Sequence, residues 1–170
     1  NETLTRGVGS QDQPANIIDV VTEFEKVIII GDHLANRLDA SLFTYGSVRL
    51  YGGESDDTLV GSGNDDLLSG EAGQDVLDGG PGTDTAVEWV RQDTGNRITL
   101  TNTAIESDVP DSLVSMERGF MATFYGSGVN VRLDASAFTL GPVTLVGACG
   151  KDTLLGGHGD DVIDDAASSL

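Results

Sequence analysis

Leu59, Leu68 and Leu77 follow one another at intervals of nine residues, and the smaller Ala86 keeps the step. Each is the centre of a short triplet: Thr58-Leu59-Val60, Leu67-Leu68-Ser69, Val76-Leu77-Asp78 and Thr85-Ala86-Val87. Alternation in so short a run predicts minimal strands, with the central side chain on one face and its neighbours on the other. Between the triplets lie six-residue segments that begin at Gly52, Gly61, Gly70 and Gly79 and end at Asp57, Asp66, Asp75 and Asp84. Glycine reaches positive φ at little cost, so these segments predict sharp turns that aim several carbonyls at one point. Two turns and two strands make one coil of eighteen residues. Stacked coils put turns 52–57 and 70–75 on one edge, and 61–66 and 79–84 on the other. The same step returns in GACGKDTLL (147–155) and GGHGDDVID (156–164), with Asp152 and Asp161 in the sixth place and Leu154 and Ile163 expected to point inward.

Elsewhere the pattern lengthens. Asn16–Ile30 and Ile98–Tyr125 are rich in β-branched and apolar residues, punctuated by Pro14 and Pro110, and predict longer strands beside or continuing the coils. A helix over Val20–Ile30 is the competing reading there. Trp89 and the phenylalanines are too few for an aromatic binding platform and are expected in the core or as caps at coil ends.

Charge changes the picture. The 170 residues include 28 acidic and 9 basic side chains, a net charge of -19. Residues 52–87 hold nine acids, and no Lys or Arg lies between Arg49 and Arg91. Such acidity excludes nucleic acid and anionic membrane as partners and argues for bound cations. An ordinary acidic surface would scatter its acids among lysines; here they keep one register. No apolar run approaches the ~20 residues of a membrane span, and membrane insertion is not expected. The single Cys149 excludes an internal disulfide. No signal peptide is read at the start, so a secreted product would already be processed or cut from something larger.

The nine-residue unit resembles the RTX nonapeptide G-G-x-G-x-D-x-U-x, most closely in GEAGQDVLD and GGPGTDTAV. The first unit has Ser55 in the fourth place, and the second moves that glycine to Gly63. The resemblance implies an all-β, right-handed parallel β-roll or β-solenoid whose turns bind several Ca2+ ions. Calcium is a hard cation that takes about six to eight oxygens. Matched onto this chain, its side-chain ligands would be Asp57, Asp66, Asp75, Asp84, Asp152 and Asp161, with ions between Asp57 and Asp75 and between Asp66 and Asp84. Backbone carbonyls would come from turn residues Gly53, Ser55, Gly63, Gly73, Gly80, Gly82, Gly150, Gly157 and Gly159. The fifth-place Asp56, Asp65 and Asp160 are read as facing solvent.

A longer repeat overlays the short one. RLDASLFTYGSVRLYG (37–52) and RLDASAFTLGPVTLVG (132–147) align without gaps at an offset of 95, which also pairs Asp57 with Asp152 and Asp66 with Asp161. The alignment runs backward to pair Gly31 with Gly126, Phe24-Glu25-Lys26 with Met116-Glu117-Arg118, and Thr3-Leu4-Thr5 with Thr99-Leu100-Thr101. It predicts two units, 1–95 and 96–170, each with a degenerate nonapeptide, 31–39 and 126–134. In these the aspartate place holds Asn36, which still offers an oxygen, and Val131, which does not. The intervening strands at Ser47–Tyr51 and Val143–Val146 are expected to extend the coil.

As a whole the chain resembles the tandem units of very large secreted bacterial calcium-binding proteins, in which an R-L-D-A-S-x-F-T segment leads into nonapeptides. That implies a secreted or cell-surface location, and folding set by calcium on reaching the exterior. Many RTX proteins leave the cell through an uncleaved C-terminal signal; six residues after Asp164 are too few for one, so a segment or another export route is expected.

Catalytic motifs are not found: the sequence has no G-x-S-x-G, no H-E-x-x-H and no P-loop. His33 and His158, beside Asp32 and near Asp160, read as solvated turn residues. Asn1-Glu2-Thr3 has the form of a glycosylation sequon. The reading is therefore a non-enzymatic, calcium-stiffened building unit of a fibre, adhesin or surface layer, with copies of itself or neighbouring tandem units as partners. The alternatives are an accessory or secretion module of an exported enzyme, and a carbohydrate-binding module with glycans as partners.

Overall fold

In the computed structural model, residues 3–7, 26–90, 97–107, 109–123, 130–147 and 150–165 are described, with 3–7 and Val90 by their backbone alone. Every regular element among them is a β-strand. The first half holds β1 (Thr3–Gly7), β2 (Lys26–Ile30), β3 (Arg37–Asp39), β4 (Ser47–Glu54), β5 (Thr58–Val60), β6 (Leu67–Ala72), β7 (Val76–Asp78) and β8 (Thr85–Val90). The second holds β9 (Arg97–Thr101), β10 (Ala104–Glu106), β11 (Asp111–Val114), β12 (Arg118–Thr123), β13 (Arg132–Ala137), β14 (Val143–Gly147), β15 (Thr153–Leu155) and β16 (Val162–Asp165).

Two sheets face each other, and the chain alternates between them as it winds. One runs β1-β2-β4-β6-β8-β12-β14-β16, and the other runs β15-β13-β9-β10-β11-β7-β5-β3. The pairing is parallel except where β10 meets β9 and β11, so the fold is a β-solenoid. The short inner triplets β5 and β7 are viable strands because each is hydrogen-bonded on both sides and sealed on its inner face, whereas β3 and β15 pair on one side. Leu38, Leu59 and Leu77 from one sheet and Leu50 and Leu68 from the other are fully buried. One apolar cluster runs from Val27 to Leu145.

Among the described residues the chain makes one detour. After β8 it does not place its next strand beside β7; β9 pairs with β13 two places further along, β10 runs back antiparallel, and β11 returns parallel to β7. Three strands restore the winding direction, as two would not. Asn102, in the β9–β10 turn, clasps Thr139: its Nδ2 donates to Thr139 Oγ1 (2.8 Å) and its Oδ1 accepts from Thr139 N–H (2.7 Å).

The R-L-D-A-S segments make the same contacts twice. Arg37 pairs with Asp39 and Arg132 with Asp134, both at 2.7 Å, and Ser41 and Ser136 each donate N–H and hydroxyl to that carboxylate. The chain then turns, with Phe43 N–H on Ala40 O and Phe138 N–H on Ala135 O, and sends each phenylalanine against the core. The motif is thus a corner that seals a coil.

Of the two readings over Asn16–Ile30, the strand holds across Lys26–Ile30, and residues 16–25 lie outside the described residues. Two expectations change. Thr3-Leu4-Thr5 and Thr99-Leu100-Thr101 do not occupy equivalent places: β1 lies beside β2 in one sheet, β9 beside β13 in the other. Ile163 pairs with Leu145 in the inward register yet is 50% exposed, because among the described residues no strand lies beyond β16 in its sheet. Residues 126–129 of the degenerate unit, together with Asn1 and Cys149, lie outside the described residues.

Candidate metal centre

The sixth-place aspartates form two columns, one along each edge. In the first, Asn36 N–H donates to Asp57 Oδ1 (2.7 Å), Asp57 N–H to Asp75 Oδ1 (2.7 Å), and Asp75 N–H to Asp111 Oδ1 (2.9 Å). In the second, Val48 N–H donates to Asp66 Oδ1 (2.7 Å), Asp66 N–H to Asp84 Oδ1 (2.8 Å), and Asp84 N–H to Glu117 Oε2 (2.9 Å). Each carboxylate thereby reaches back to satisfy the rung before it. The fifth-place residues reach forward: Asp56 Oδ1 accepts from Gln74 N–H and Asp65 Oδ1 from Thr83 N–H, both at 2.9 Å. Asp56, Asp65 and Asp160 are exposed.

The second carboxylate oxygen is the notable one. Oδ2 of Asp57, Asp75, Asp84 and Asp152 is buried without a hydrogen-bond partner. In each turn it lies over the opening glycine. A Cβ on Gly52, Gly70, Gly79 or Gly147 would run into Oδ2 of Asp57, Asp75, Asp84 or Asp152 respectively. Turns also stack place for place. A Cβ on Gly53 would meet Asp32 O, on Gly73 Ser55 O, on Gly80 Ser62 O and on Gly82 Asn64 O. Gly73 and Gly82 stand at φ 149° and 152°, and Ser55 takes the same place at φ 72°, a conformation that strains a residue with a side chain.

Burial pushes Asp57 up to about 7, and the charges of Asp75, Asp32 and Asp56 add to this against the opposing Asn36 N–H. Burial likewise raises Asp75 and Asp84 to about 6 and Asp111 to about 7, while Asp66 is raised for the same reason against three hydrogen bonds that hold it down. Unpartnered anionic oxygens in a dry, glycine-emptied cradle fit a hard divalent cation, which prefers carboxylate and carbonyl oxygen. Among the described residues no three His, Cys, Asp or Glu side chains converge on one point. Carbonyls would therefore have to complete any coordination shell.

The expected ligands are not alike. Asp57, Asp75, Asp84 and Asp152 have the buried free oxygen. Asp66 does not: Ser62 N–H donates to its Oδ2 (2.5 Å) and Ser62 Oγ to its Oδ1 (3.1 Å). That turn departs from the others because Asn64 stands in the fourth place and ties itself to Gly46 O (3.1 Å); Gly63 is exposed, with open space where a Cβ would be. Asn36 spends its Oδ1 on Asp32 N–H (2.8 Å). Asp152 and Asp161 accept from Val131 and Val143 N–H at 3.0 and 2.9 Å. Their turns lie on opposite edges, and the 156–161 turn packs on the corner of the second R-L-D-A-S segment, with Gly157 against Phe138 O and Gly159 against Pro142. Gly150 is exposed.

Two residues escaped the reading of the sequence, Asp111 and Glu117. Asp111 lies 36 residues beyond Asp75, two coil lengths, and opens Asp111-Ser112-Leu113, which has the sixth and eighth places of the nonapeptide without its glycine turn. That spacing was the available signal. Glu117 follows a turn too short to keep the period.

Residues 51–86 and 144–164 match the family model of the RTX calcium-binding nonapeptide repeat (4 copies). No curated protein and no solved structure matches the chain. With sixth-place carboxylates stacked along both edges of a parallel solenoid, residues 51–86 and 144–164 carry RTX calcium-binding nonapeptide repeats.

Proposed function

We propose that this calcium-binding module is an extracellular building unit whose folding and end-to-end assembly are set by calcium. Bound calcium would supply the positive charge that the columns of carboxylates lack. Asp57, Asp75, Asp84, Asp152 and Asp161 would hold it, with carbonyls of the stacked turns completing the shell, and Asp66 less directly because Ser62 already engages it. Asp57, Asp75, Asp84 and Asp152 each keep one oxygen on a neighbouring rung and offer the other to metal, so occupancy of a site and cohesion of two rungs are the same event. A ligand bound only by the folded chain stabilises it by about 2.7 kcal/mol per site at a hundredfold excess over Kd.

The observation that carries the calcium reading is the buried, unpartnered Oδ2 of Asp57, Asp75, Asp84 and Asp152; in support of assembly, β15 and β16 carry apolar side chains that no described rung covers. Leu59 and Leu68 are fully buried under the next coil, but their repeat counterparts Leu154 and Ile163 are not; Ile163 is 50% and Val162 56% exposed. Asp152 Oδ2 is buried there without a partner. A further rung, from the chain itself, a neighbouring tandem unit or another copy, would cover the apolar edge and bring a second turn to each metal column. The offset of 95 between the two R-L-D-A-S segments supports a two-unit organisation at 1–95 and 96–170. Electron microscopy and light scattering with calcium and then with EGTA test this. Filaments or oligomers that dissolve in chelator, and that Ile163→Asp prevents, are expected. A calcium-loaded monomer at all concentrations overturns the assembly reading.

A further inference from the structure

The family match stops at residue 86 and resumes at 144, yet the second column of acids continues beyond it. β12 pairs with β8 in the register Arg118 to Thr85, which puts Glu117 at the place of Asp84. The turn that leads to it is short: Ser115, Met116 and Glu117 stand where a nonapeptide has six residues, and Ser115 takes φ 50°. Met116 is fully buried in the core, so Ser115 and Glu117 alone face the column.

The space between these turns repeats an arrangement seen one coil earlier. A Cβ on Gly61 would meet Asp66 Oδ2 and the next rung's Gly79 O; a Cβ on Gly79 would meet Asp84 Oδ2 and Ser115 O. Asp84 is fully buried, and its Oδ2 has no hydrogen-bond partner. Glu117 is held against it by the bond from Asp84 N–H to Oε2 at 2.9 Å. Asp84 Oδ2 and the Ser115 carbonyl thus flank a gap that only a glycine leaves open, with the Glu117 carboxylate anchored beside it on Asp84 N–H. Like charges so close in a poorly hydrated place repel strongly unless a cation lies between them.

We infer that a divalent-cation site lies outside the nonapeptides, between the 79–84 and 115–117 turns, with Asp84, Glu117 and the Ser115 carbonyl as its protein oxygens. The inference rests on the calcium-binding reading. A turn half the usual length supplies fewer carbonyls, so water completes the shell and this site fills last. It extends the metal column across the detour and pins β12 to β8 at the point where β9–β11 leave the regular winding.

Calcium titration of the full chain by calorimetry, with stoichiometry from native mass spectrometry, tests it on Glu117→Gln. Glutamine keeps an oxygen for Asp84 N–H and removes the charge. The variant is expected to lose the weakest binding step, or to weaken it by about tenfold or more, with the other steps and the metal-free circular dichroism unchanged. Unchanged stoichiometry and affinity overturn the site and leave the calcium reading standing, whereas a wild-type chain that takes up no calcium overturns both. If Glu117→Gln fails to fold, the wild-type amide spectrum decides. Gly79, Ser115 and Arg118 must shift at the last calcium step, and stationary signals there overturn the site.

Discussion

Asp57 and Asp75 stand eighteen residues apart and are joined by one hydrogen bond, from Asp57 N–H to Asp75 Oδ1 at 2.7 Å, while Oδ2 of each is buried with no partner. The two oxygens of one carboxylate therefore do different work. One is a rivet between coils that needs no metal; the other is an uncompensated acceptor facing a glycine. This division gives the ladder a metal-free geometry and a reason to bind a cation.

Asp75→Asn separates the two tasks. Asparagine retains Oδ1 for Asp57 N–H and loses the charge, so the calcium midpoint of folding should rise by about tenfold or more while residual metal-free structure is kept. Asp75→Ala should additionally weaken the metal-free fold by about 1–3 kcal/mol, because Asp57 N–H is left buried and unpaired. Circular dichroism during calcium titration reads both, and an asparagine variant with the wild-type midpoint would remove Asp75 from the ligand set.

In chelator, stability should fall as pH rises. Asp57 and Asp111 are raised to about 7, and Asp75 and Asp84 to about 6, against an ordinary 3.8. The folded chain thus binds protons more tightly than the unfolded one. Their contribution is fully present below the ordinary carboxylate value and is lost as pH climbs through 6 to 7. Asp39 and Asp134 are lowered, chiefly by the Ser41 and Ser136 hydroxyls; they act at the acid end, below 3.8, and leave this window alone. A melting temperature that drops between pH 5 and pH 8 in EGTA is expected. With saturating calcium the slope should flatten or reverse, since protons then compete with the metal. A chelated protein that gains stability toward pH 8 would contradict the buried, charged columns.

Leu68→Ala should cost about 2–5 kcal/mol at fixed calcium, because a fully buried side chain between two sheets leaves a cavity that neighbouring rungs cannot close. Leu42, 89% exposed in the corner after β3, should tolerate alanine within about 0.5 kcal/mol. Denaturant unfolding with calcium held constant measures the difference.

Asn102→Ala removes both bonds of the clasp to Thr139 and should loosen the detour without opening the coils. Amide exchange should accelerate in β9 and β10 by an amount worth about 1–2 kcal/mol, with Leu59 and Leu68 protected as before. Uniform acceleration throughout would mean that the detour and the solenoid unfold as one unit.

How much of this was legible depends on whether the deciding interactions are local. The nine-residue step, the turn–strand alternation and the stacking of Asp57 on Asp75 could be read directly, since glycine turns and single apolar centres set a fixed period and a fixed period sets the register. The corner made by R-L-D-A-S was visible as a repeat but not as a corner, because its role depends on what Phe43 and Phe138 seal. Asp66 illustrates the limit within the repeat itself: its sequence place is that of Asp84, but Ser62 and Asn64 rebuild its turn and occupy its free oxygen.

What the residues alone determined is the rung: its length, its inward leucine and the edge on which each acid falls. Only the tertiary structure decided which rungs are neighbours. The route of β9–β11 beside β13, the entry of Asp111 and Glu117 into the acid columns, and the exposure of Ile163 all follow from rung order, and rung order is a matter of long-range pairing. Adjacent coils share hydrogen bonds between residues eighteen or more positions apart, so a break in the period hides its consequences until the strands on either side are seen together.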